Sequence, residues 1–437
     1  MPSAPAVAPS IPAVPSKAAA ALAGLGPLFA FTFLNSVGSA IVYSGIFFLA
    51  ESRYGFDKQS NFALGTLYGI AYIPGAMGIG PLLRWLERRS ARLTPRVVLG
   101  VIMVIMASLC IAPSIVAATE PGTLLPQDRP SWPIWLLVGI YSPLSGCLWP
   151  TIEGFLSGGR SGTALRSATG KFNIAWSSAL VVTCLAISPF VDKYPLQLLL
   201  ALATVHLTAI ALLIPFPHRP AEHIHEHHAP PTANEKALLT LMRVLLPTAF
   251  LVLATVAPFL VTAREQLKLD NSLGTVLAAT WMAARVVVFT LMERWHGWHG
   301  RWSVPLIGAG ILLIAFAGLI LAPSQLPTSS AVPVFVGSLL GFGVGVGIIY
   351  TAALYYAMHV GGAEVDAGGV HETLIGIGYT IGPACGLVAC LLASQSIITP
   401  ERVEPVMLAA VTLIALAGIA SALVLASRRG SKVSNPN

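Results

Sequence analysis

Five ionisable side chains lie inside stretches of the chain that are otherwise apolar and long enough to cross a membrane. They are Glu153, Lys171, Arg285 and the adjacent pair His371 and Glu372. Charged groups are costly to place in a bilayer, so each is expected to face a partner or a wet cavity. A carboxylate or an imidazole there can take up and release a proton, whereas an arginine stays charged and needs a carboxylate, carbonyl groups or an anionic solute.

Two of these residues suggest proton chemistry. Glu372 and His371 fall in the first turns of the predicted eleventh span, at a depth close to that of Arg285, and we predict that Arg285 and Glu372 share one electrostatic site. Glu372, with His371 as its nearest competitor, is the candidate for carrying a coupling proton. The alternative is structural, because Glu372 could neutralise Arg285 or accept backbone N–H groups at a helix start.

Glu153 suggests a gate. It falls near the predicted cytoplasmic end of the fourth span, and Arg84 and Arg88 follow the second span on the same side. An ion pair between Glu153 and either arginine is therefore expected, as a structural or gating contact.

Polar and aromatic residues at helical spacing are the candidates for lining a solute cavity. The candidates are Asn35, Tyr43, Tyr72, Asn173, Trp176, Trp281, Arg285 and Tyr350. Aromatic walls with a few hydrogen-bonding groups suit a small organic solute. Packing between helices and anchoring at the membrane interface are the alternatives for each of them.

The elements that must position these residues are membrane helices. Charged residues make up only 10% of the chain, apolar residues make up 55%, and mean hydropathy is +0.77. Apolar stretches of about 20 residues span a bilayer as helices, and the alternation expected of barrel strands is absent. We predict an all-α membrane protein with twelve transmembrane helices, near 24–50, 60–83, 95–118, 133–156, 168–191, 198–216, 238–263, 272–293, 304–322, 332–358, 369–393 and 406–426.

The longest polar interruption divides the predicted helices into two sets of six. The expected units are a disordered tail over 1–23, a six-helix bundle over 24–216, a cytoplasmic linker over 217–236, a second six-helix bundle over 237–427 and a tail over 428–437. The linker is rich in histidine, at positions His218, His223, His225, His227 and His228. Clustered imidazoles can bind Zn²⁺, but a flexible linker flanked by proline favours a solvated segment without a metal.

Basic residues predict the orientation. About twice as many Lys and Arg fall on the side of the termini and the linker as on the other side, which places both termini in the cytoplasm of a cell inner (plasma) membrane protein. The net charge of +7 indicates attraction to lipid headgroups and no nucleic acid. No phosphate-binding glycine loop, nucleophile elbow or HExxH motif occurs in the sequence, so we expect neither an enzyme nor an ATP-driven pump, and no cofactor or metal.

Two short internal echoes and two motifs carry a family resemblance. SATGKFNIAWSSA in the fifth span is echoed by DAGGVHETLIGIG in the eleventh. After the second span, Gly80 is followed by a basic cluster, with Arg84 where a family aspartate is usual, and Glu87 or Glu153 could supply the missing charge. A GPxxG element runs from Gly382 to Gly386. With the six-plus-six layout, the chain resembles the major facilitator superfamily from about residue 24 to 427.

The resemblance implies two six-helix bundles related by pseudo-two-fold symmetry. They would rock around a central cavity lined mainly by spans 1, 4, 7 and 10, with help from spans 2, 5, 8 and 11. The implied function is secondary active transport of a small organic solute by alternating access, with proton coupling open. The expected partners are that solute, membrane lipids and, if transport is coupled, protons, and we expect a monomer. The alternative function is a transporter-like receptor or assembly protein that binds a ligand and moves nothing.

Overall fold

The computed structural model describes residues 22–222, 232–360 and 365–431. Within these ranges the chain is helical and has no β-strand. Twelve long helices, α1 to α12, run over Leu25–Tyr54, Lys58–Arg89, Pro95–Ala117, Trp132–Ser157, Gly162–Ile187, Pro195–Leu212, Ala233–Gln266, Leu273–Arg294, Ser303–Gln325, Thr328–Val360, Val365–Ser394 and Val403–Ser431. Helix α1 contains a π-helical segment, Ala40–Gly45, and short 3₁₀ turns occur at Pro126–Asp128, His296–Trp298 and Pro400–Arg402.

The helices have the length and composition of membrane spans. Eleven of those described are long and apolar enough to cross a bilayer. The twelfth, α4, has 26 residues, and its tryptophans, prolines and serines hold its hydropathy below that of the others. The prediction of an all-α chain with about twelve apolar helices is therefore confirmed.

Prolines and capping residues move several boundaries away from the predicted ones. Helix α5 was expected to reach residue 191 and ends at Ile187, because Pro189 has no N–H to donate to the preceding turn. Helix α6 begins at Pro195, a favourable first position for proline. Helix α2 begins after Asp57, whose side chain accepts a hydrogen bond from the Ser60 N–H at 2.8 Å.

Two of the predicted units change or fall outside the structure. Helix α12 continues to Ser431, so the tail expected from 428 begins inside a helix. Most of the expected tail over 1–23, and the linker histidines His223, His225, His227 and His228, lie outside the described residues.

The helices alternate in direction, which gives the molecule two ends. The linker end carries the connection from α6 to α7, and the distal end carries the connection from α1 to α2. Ion pairs join matching helix ends. At the distal end, Glu51 near the end of α1 pairs with Arg264 near the end of α7. At the linker end, Arg84 near the end of α2 pairs with Asp366 at the start of α11.

Helices α1 to α6 meet α7 to α12 chiefly where α2 and α4 pack along α11 and where α5 packs along α8. The backbones of α2 and α11 come very close at Gly69, where a Cβ atom would collide with the main chain of Tyr379 and Thr380. The GPxxG element of α11 forms part of the same crossing, since Gly386 packs against the Phe62 ring of α2. In the same element, Gly382 packs against the Leu251 carbonyl group of α7.

Candidate solute-binding cavity

A cavity lies between the two halves of the chain. It is lined by Ser39, Tyr43, Tyr68, Tyr72, Trp149, Glu153, Phe172, Trp176, Leu180, Phe250, Leu253, Trp281, Arg285, Tyr350, Glu372, Ile375 and Tyr379. These residues come from α1, α2, α4, α5, α7, α8, α10 and α11, the eight helices that the family resemblance places around a central cavity. None of the described residues of α3, α6, α9 or α12 lines it. The free volume is about 70 Å³, well below the roughly 300–1,000 Å³ of an ordinary ligand pocket, so this conformation is close to occluded.

Arg285 is the cation of the cavity. It is 2% exposed, and its guanidinium carbon lies 4.3 Å from the ring centroid of Trp176 and 4.7 Å from that of Trp281. Its Nε donates to the Ser177 Oγ at 3.0 Å, while Nη2 has no hydrogen-bond partner among the described residues. Helix α8 supplies Arg285 and Trp281, and α5 supplies Trp176 and Ser177. The guanidinium group is therefore held across the two halves by aromatic faces and one hydroxyl group.

The acidic part of the cavity is a buried cluster formed by Glu153, His371 and Glu372. One ligand atom of each lies within 4.8 Å of the others, and all three side chains are buried. The Tyr72 hydroxyl donates to Glu372, whereas Glu153 Oε2 and His371 Nε2 have no hydrogen-bond partner in the described part of the chain. Two carboxylates and an imidazole can share a proton, and they are also ligands that a divalent cation accepts.

Arg285 and Glu372 share one cavity, but in the described structure they do not form a direct ion pair. Each has other partners, Ser177 and two indole rings for Arg285 and the Tyr72 hydroxyl for Glu372.

The ion pair expected between Glu153 and Arg84 or Arg88 is not formed. Glu153 points into the buried cluster, and the Arg84 side chain is half exposed at the linker end, where it pairs with Asp366 at 2.6 Å. Arg88 is exposed. The carboxylate opposite the arginine therefore comes from Asp366 on α11, and not from Glu87 or Glu153. Sequence reasoning missed Asp366, although it stands in the DAGGVHE stretch that echoes the fifth span.

The other predicted cavity residues divide into two groups. Tyr43, Tyr72, Trp176, Trp281 and Tyr350 line the cavity along with Arg285. Asn35 does not line the central cavity. Its side-chain amide donates a hydrogen bond to the Phe31 carbonyl group of the same helix at 2.9 Å. Asn173 accepts a hydrogen bond from the Trp176 indole N–H at 3.1 Å and lines a second cavity. Lys171 is exposed.

Tyr379 was missed, although it is central to the aromatic wall. Its ring centroid lies 4.6 Å from that of Tyr43, 5.5 Å from Tyr68 and 5.4 Å from Phe250. The sequence did hold a signal, because Tyr379 follows Glu372 by seven residues and so lies on the same helix face.

The second cavity opens at the linker end between α5, α8 and α10. It has a volume of about 480 Å³, and its lining includes Asn173, Phe289 and Tyr355. Three aromatic rings lie between the two cavities: Trp176 and Tyr350 line the central one, and Phe289 lines the second. Their ring centroids are 5.3 to 5.8 Å apart, so the three rings form the barrier between the cavities.

At the distal end, contacts between the halves close the molecule. Arg264 pairs with Glu51 at 2.7 Å, Lys58 pairs with Glu404, and the Ser188 hydroxyl donates to the Ser272 carbonyl group. Phe48 of α1 packs against Gly274 of α8, where no side chain intervenes.

Comparison with known proteins identifies the fold. Neither a protein-family model nor a curated protein matches the sequence. Among solved structures, the chain shares its fold with solved transporters. It is similar to the crystal structure of the nucleoside transporter NupG, with a TM-score of 0.61 and 13% identity over 91% of this chain and 98% of that one. A single-residue mutant of NupG gives a TM-score of 0.63 and 14% identity over 91% and 99% of the two chains.

Proposed function

We propose that the protein is a secondary active transporter that moves a small organic solute across a membrane by alternating access. The observation that carries the proposal is the central cavity, which draws charged and aromatic residues from both halves of the chain. Closure at the distal end and a cavity of about 480 Å³ at the linker end fit one state of an alternating cycle. The fold of the solved transporters supports the same reading.

The proposed architecture is two six-helix bundles related by pseudo-two-fold symmetry, formed by α1 to α6 and by α7 to α12. The linker end faces the cytoplasm, together with both termini, and the membrane is the cell's inner (plasma) membrane. Excess basic charge at the linker end supports this orientation. Single cysteines at exposed positions in 217–236 should react with a membrane-impermeant thiol reagent only in inverted vesicles. Reaction in intact cells would overturn the orientation.

The buried cluster supports a proposal of coupling to protons. Glu153 comes from α4, and His371 and Glu372 come from α11, so a shared proton would join the two halves and its loss would leave two carboxylates facing each other. Glu372 is the residue we expect to carry the proton, because it also lines the cavity and contacts Tyr72. Glu372→Gln in proteoliposomes should abolish accumulation driven by a pH gradient and retain exchange. Accumulation at the wild-type level would exclude Glu372 as the coupling residue.

The proposed function is tested by finding a bound solute and following it across a membrane. Purified protein is screened for thermal stabilisation with sugars, nucleosides, amino acids, organic anions and cationic drugs. Nucleosides belong in the first set because NupG is a nucleoside transporter. A stabilising compound should then show counterflow in proteoliposomes, and empty liposomes are the control. Stabilisation without counterflow would favour the alternative, a receptor or assembly protein that binds a ligand and moves nothing.

A further inference from the structure

We propose that the solute is a small organic anion with a flat ring, and that its carboxylate binds the guanidinium group of Arg285 between Trp176 and Trp281. This inference rests on the proposed function and adds the chemical class of the solute. Three features support this chemical class: the charge of Arg285, the donors that Arg285 leaves free and the walls of the cavity.

Among the described residues, Arg285 is a buried charge without a counterion. Its side chain is 2% exposed, its one described hydrogen-bond partner is the neutral Ser177 hydroxyl, and no described carboxylate forms an ion pair with it. A buried charge is stable only when it is paired or fully hydrogen-bonded. The two indole rings compensate it in part. An anionic solute would supply the missing partner.

The free donors of Arg285 favour a planar carboxylate. Nε is used by Ser177, and the ring contacts of Trp176 and Trp281 involve the guanidinium carbon. Nη2 is buried and has no partner among the described residues, and no hydrogen bond of Nη1 to a described residue is seen, so the two Nη groups are the donors left for a ligand. A guanidinium group donates along its edge, and a carboxylate accepts in that plane.

The remaining walls favour a flat ring. Five tyrosines line the cavity, and several lie in contact as rings: Tyr43 and Tyr379 have centroids 4.6 Å apart, and Tyr68 and Tyr72 are 6.0 Å apart and nearly parallel. Aromatic side chains hold another ring by offset or edge-to-face contacts. The hydroxyl groups of these tyrosines add hydrogen bonds at the ring's edge.

The charges of the cavity link anion binding to proton uptake. The groups that face it are Arg285, Glu153, Glu372, the adjoining His371 and the tyrosines Tyr43, Tyr68, Tyr72, Tyr350 and Tyr379. With both glutamates ionised, His371 neutral and Arg285 charged, the cavity carries one net negative charge, and a bound monoanion raises this to two. With both glutamates protonated, the negative charge of the bound anion and the positive charge of Arg285 cancel. Anion binding should therefore be stronger at acidic pH, and by linkage it should promote proton uptake.

The test measures binding of benzoate to the whole purified protein by titration calorimetry, thermal stabilisation and quenching of tryptophan fluorescence. Benzamide is the uncharged match, cyclohexanecarboxylate is the anion without a flat ring, and uridine is a neutral nucleoside. Benzoate should bind, and benzamide and uridine should bind far more weakly or not at all. Arg285→Gln should weaken benzoate binding about 30-fold or more, Arg285→Lys should weaken it less, and Arg88→Gln, an exposed arginine outside the cavity, should leave it unchanged.

The results separate the proposed anion site from the proposed transport function. Failure of benzoate to bind the wild-type protein overturns the inference, and so does equal binding of benzamide. Equal benzoate affinity in a folded Arg285→Gln or Arg285→Lys variant and in the wild type also overturns it. If uridine or benzamide binds and shows counterflow while benzoate does neither, the proposed transport function is supported and the proposed anionic solute is excluded. If benzoate binds through Arg285 and no bound compound is exchanged, the proposed anion site is supported and the proposed transport function is excluded.

Discussion

The two ends of the molecule are held together in different ways. At the distal end, the Arg264 side chain is 4% exposed and that of Glu51 is 19% exposed. At the linker end, the side chains of Arg84 and Asp366 are 53% and 49% exposed, although that pair is as short. A pair withdrawn from water resists separation because breaking it strands a charge, whereas an exposed pair contributes little. This conformation is therefore locked at the distal end and only latched at the linker end.

The same contrast extends inward from each end. Inward from the distal end, the backbones of α2 and α11 meet at Gly69 with no side chain between them. Above the linker end, a cavity of about 480 Å³ reaches inward to Phe289 and Asn173, and three aromatic rings separate it from Arg285. An alternating cycle requires the ends to exchange these properties, so the comparison can be tested at each end.

The largest effect is expected from breaking the distal lock. Arg264→Ala leaves Glu51 without its cation and should lower the free energy of unfolding by about 3 kcal/mol, the low end for a buried pair because Glu51 is partly exposed. The measurement is unfolding in detergent micelles followed by circular dichroism. Arg264→Leu combined with Glu51→Leu should recover most of the loss. A single variant as stable as the wild type would show that the lock does not hold the distal end.

An intermediate effect is expected from two glycines of α2 that face α11. Gly69→Ala forces a methyl group against the backbone of Tyr379 and Thr380 and should cost about 1–3 kcal/mol of unfolding free energy. Gly80→Ala meets the ends of two side chains, the Asp366 carboxylate and, at an ordinary contact distance, the Arg84 guanidinium. Both can rotate away, so it should cost less than about 1 kcal/mol. Melting temperatures of the two variants provide the comparison. Equal losses would mean that the two ends of this crossing are equally tight.

The smallest effect is expected at the linker end. Arg84→Ala should change the unfolding free energy by about 0–1 kcal/mol, and the difference from the wild type should vanish at high salt because an exposed pair is screened. Arg88→Ala, an exposed arginine in the same turn region, is the matched control. Thermal melts at low and high ionic strength measure both. A loss comparable to that of Arg264→Ala would contradict the idea of a weak latch.

Hydropathy was sufficient to predict the helices, because the requirement for an apolar stretch of spanning length is local to each segment. Boundaries were less predictable. Helix α5 ends at Ile187, several residues short of the expected edge, because the missing N–H of Pro189 outweighs the apolar residues beyond it. Hydropathy responds to those residues and not to backbone hydrogen bonding.

Only those residues of the candidate site that stand out in the sequence by themselves could be predicted. Arg285 and Glu372 are conspicuous in apolar stretches, and both line the cavity. The position of Glu153 beside His371 was not predictable, because it depends on how α4 and α11 pack. Asp366 was missed for the same reason, since its partner Arg84 lies more than two hundred residues away in the chain. Long-range pairing is set by tertiary packing, and no local pattern encodes it.

Paired distances test whether the protein alternates, as proposed, between closure at the distal end and closure at the linker end. Spin labels at Gln59 and Asn271 report on the distal end, and labels at Arg88 and Arg301 report on the linker end, in a background where the five native cysteines are replaced. Double electron–electron resonance is recorded in lipid nanodiscs at acidic and alkaline pH, with and without benzoate. If the protein alternates, one distance should lengthen as the other shortens. Two distances that never change, or that change together in the same direction, would contradict it.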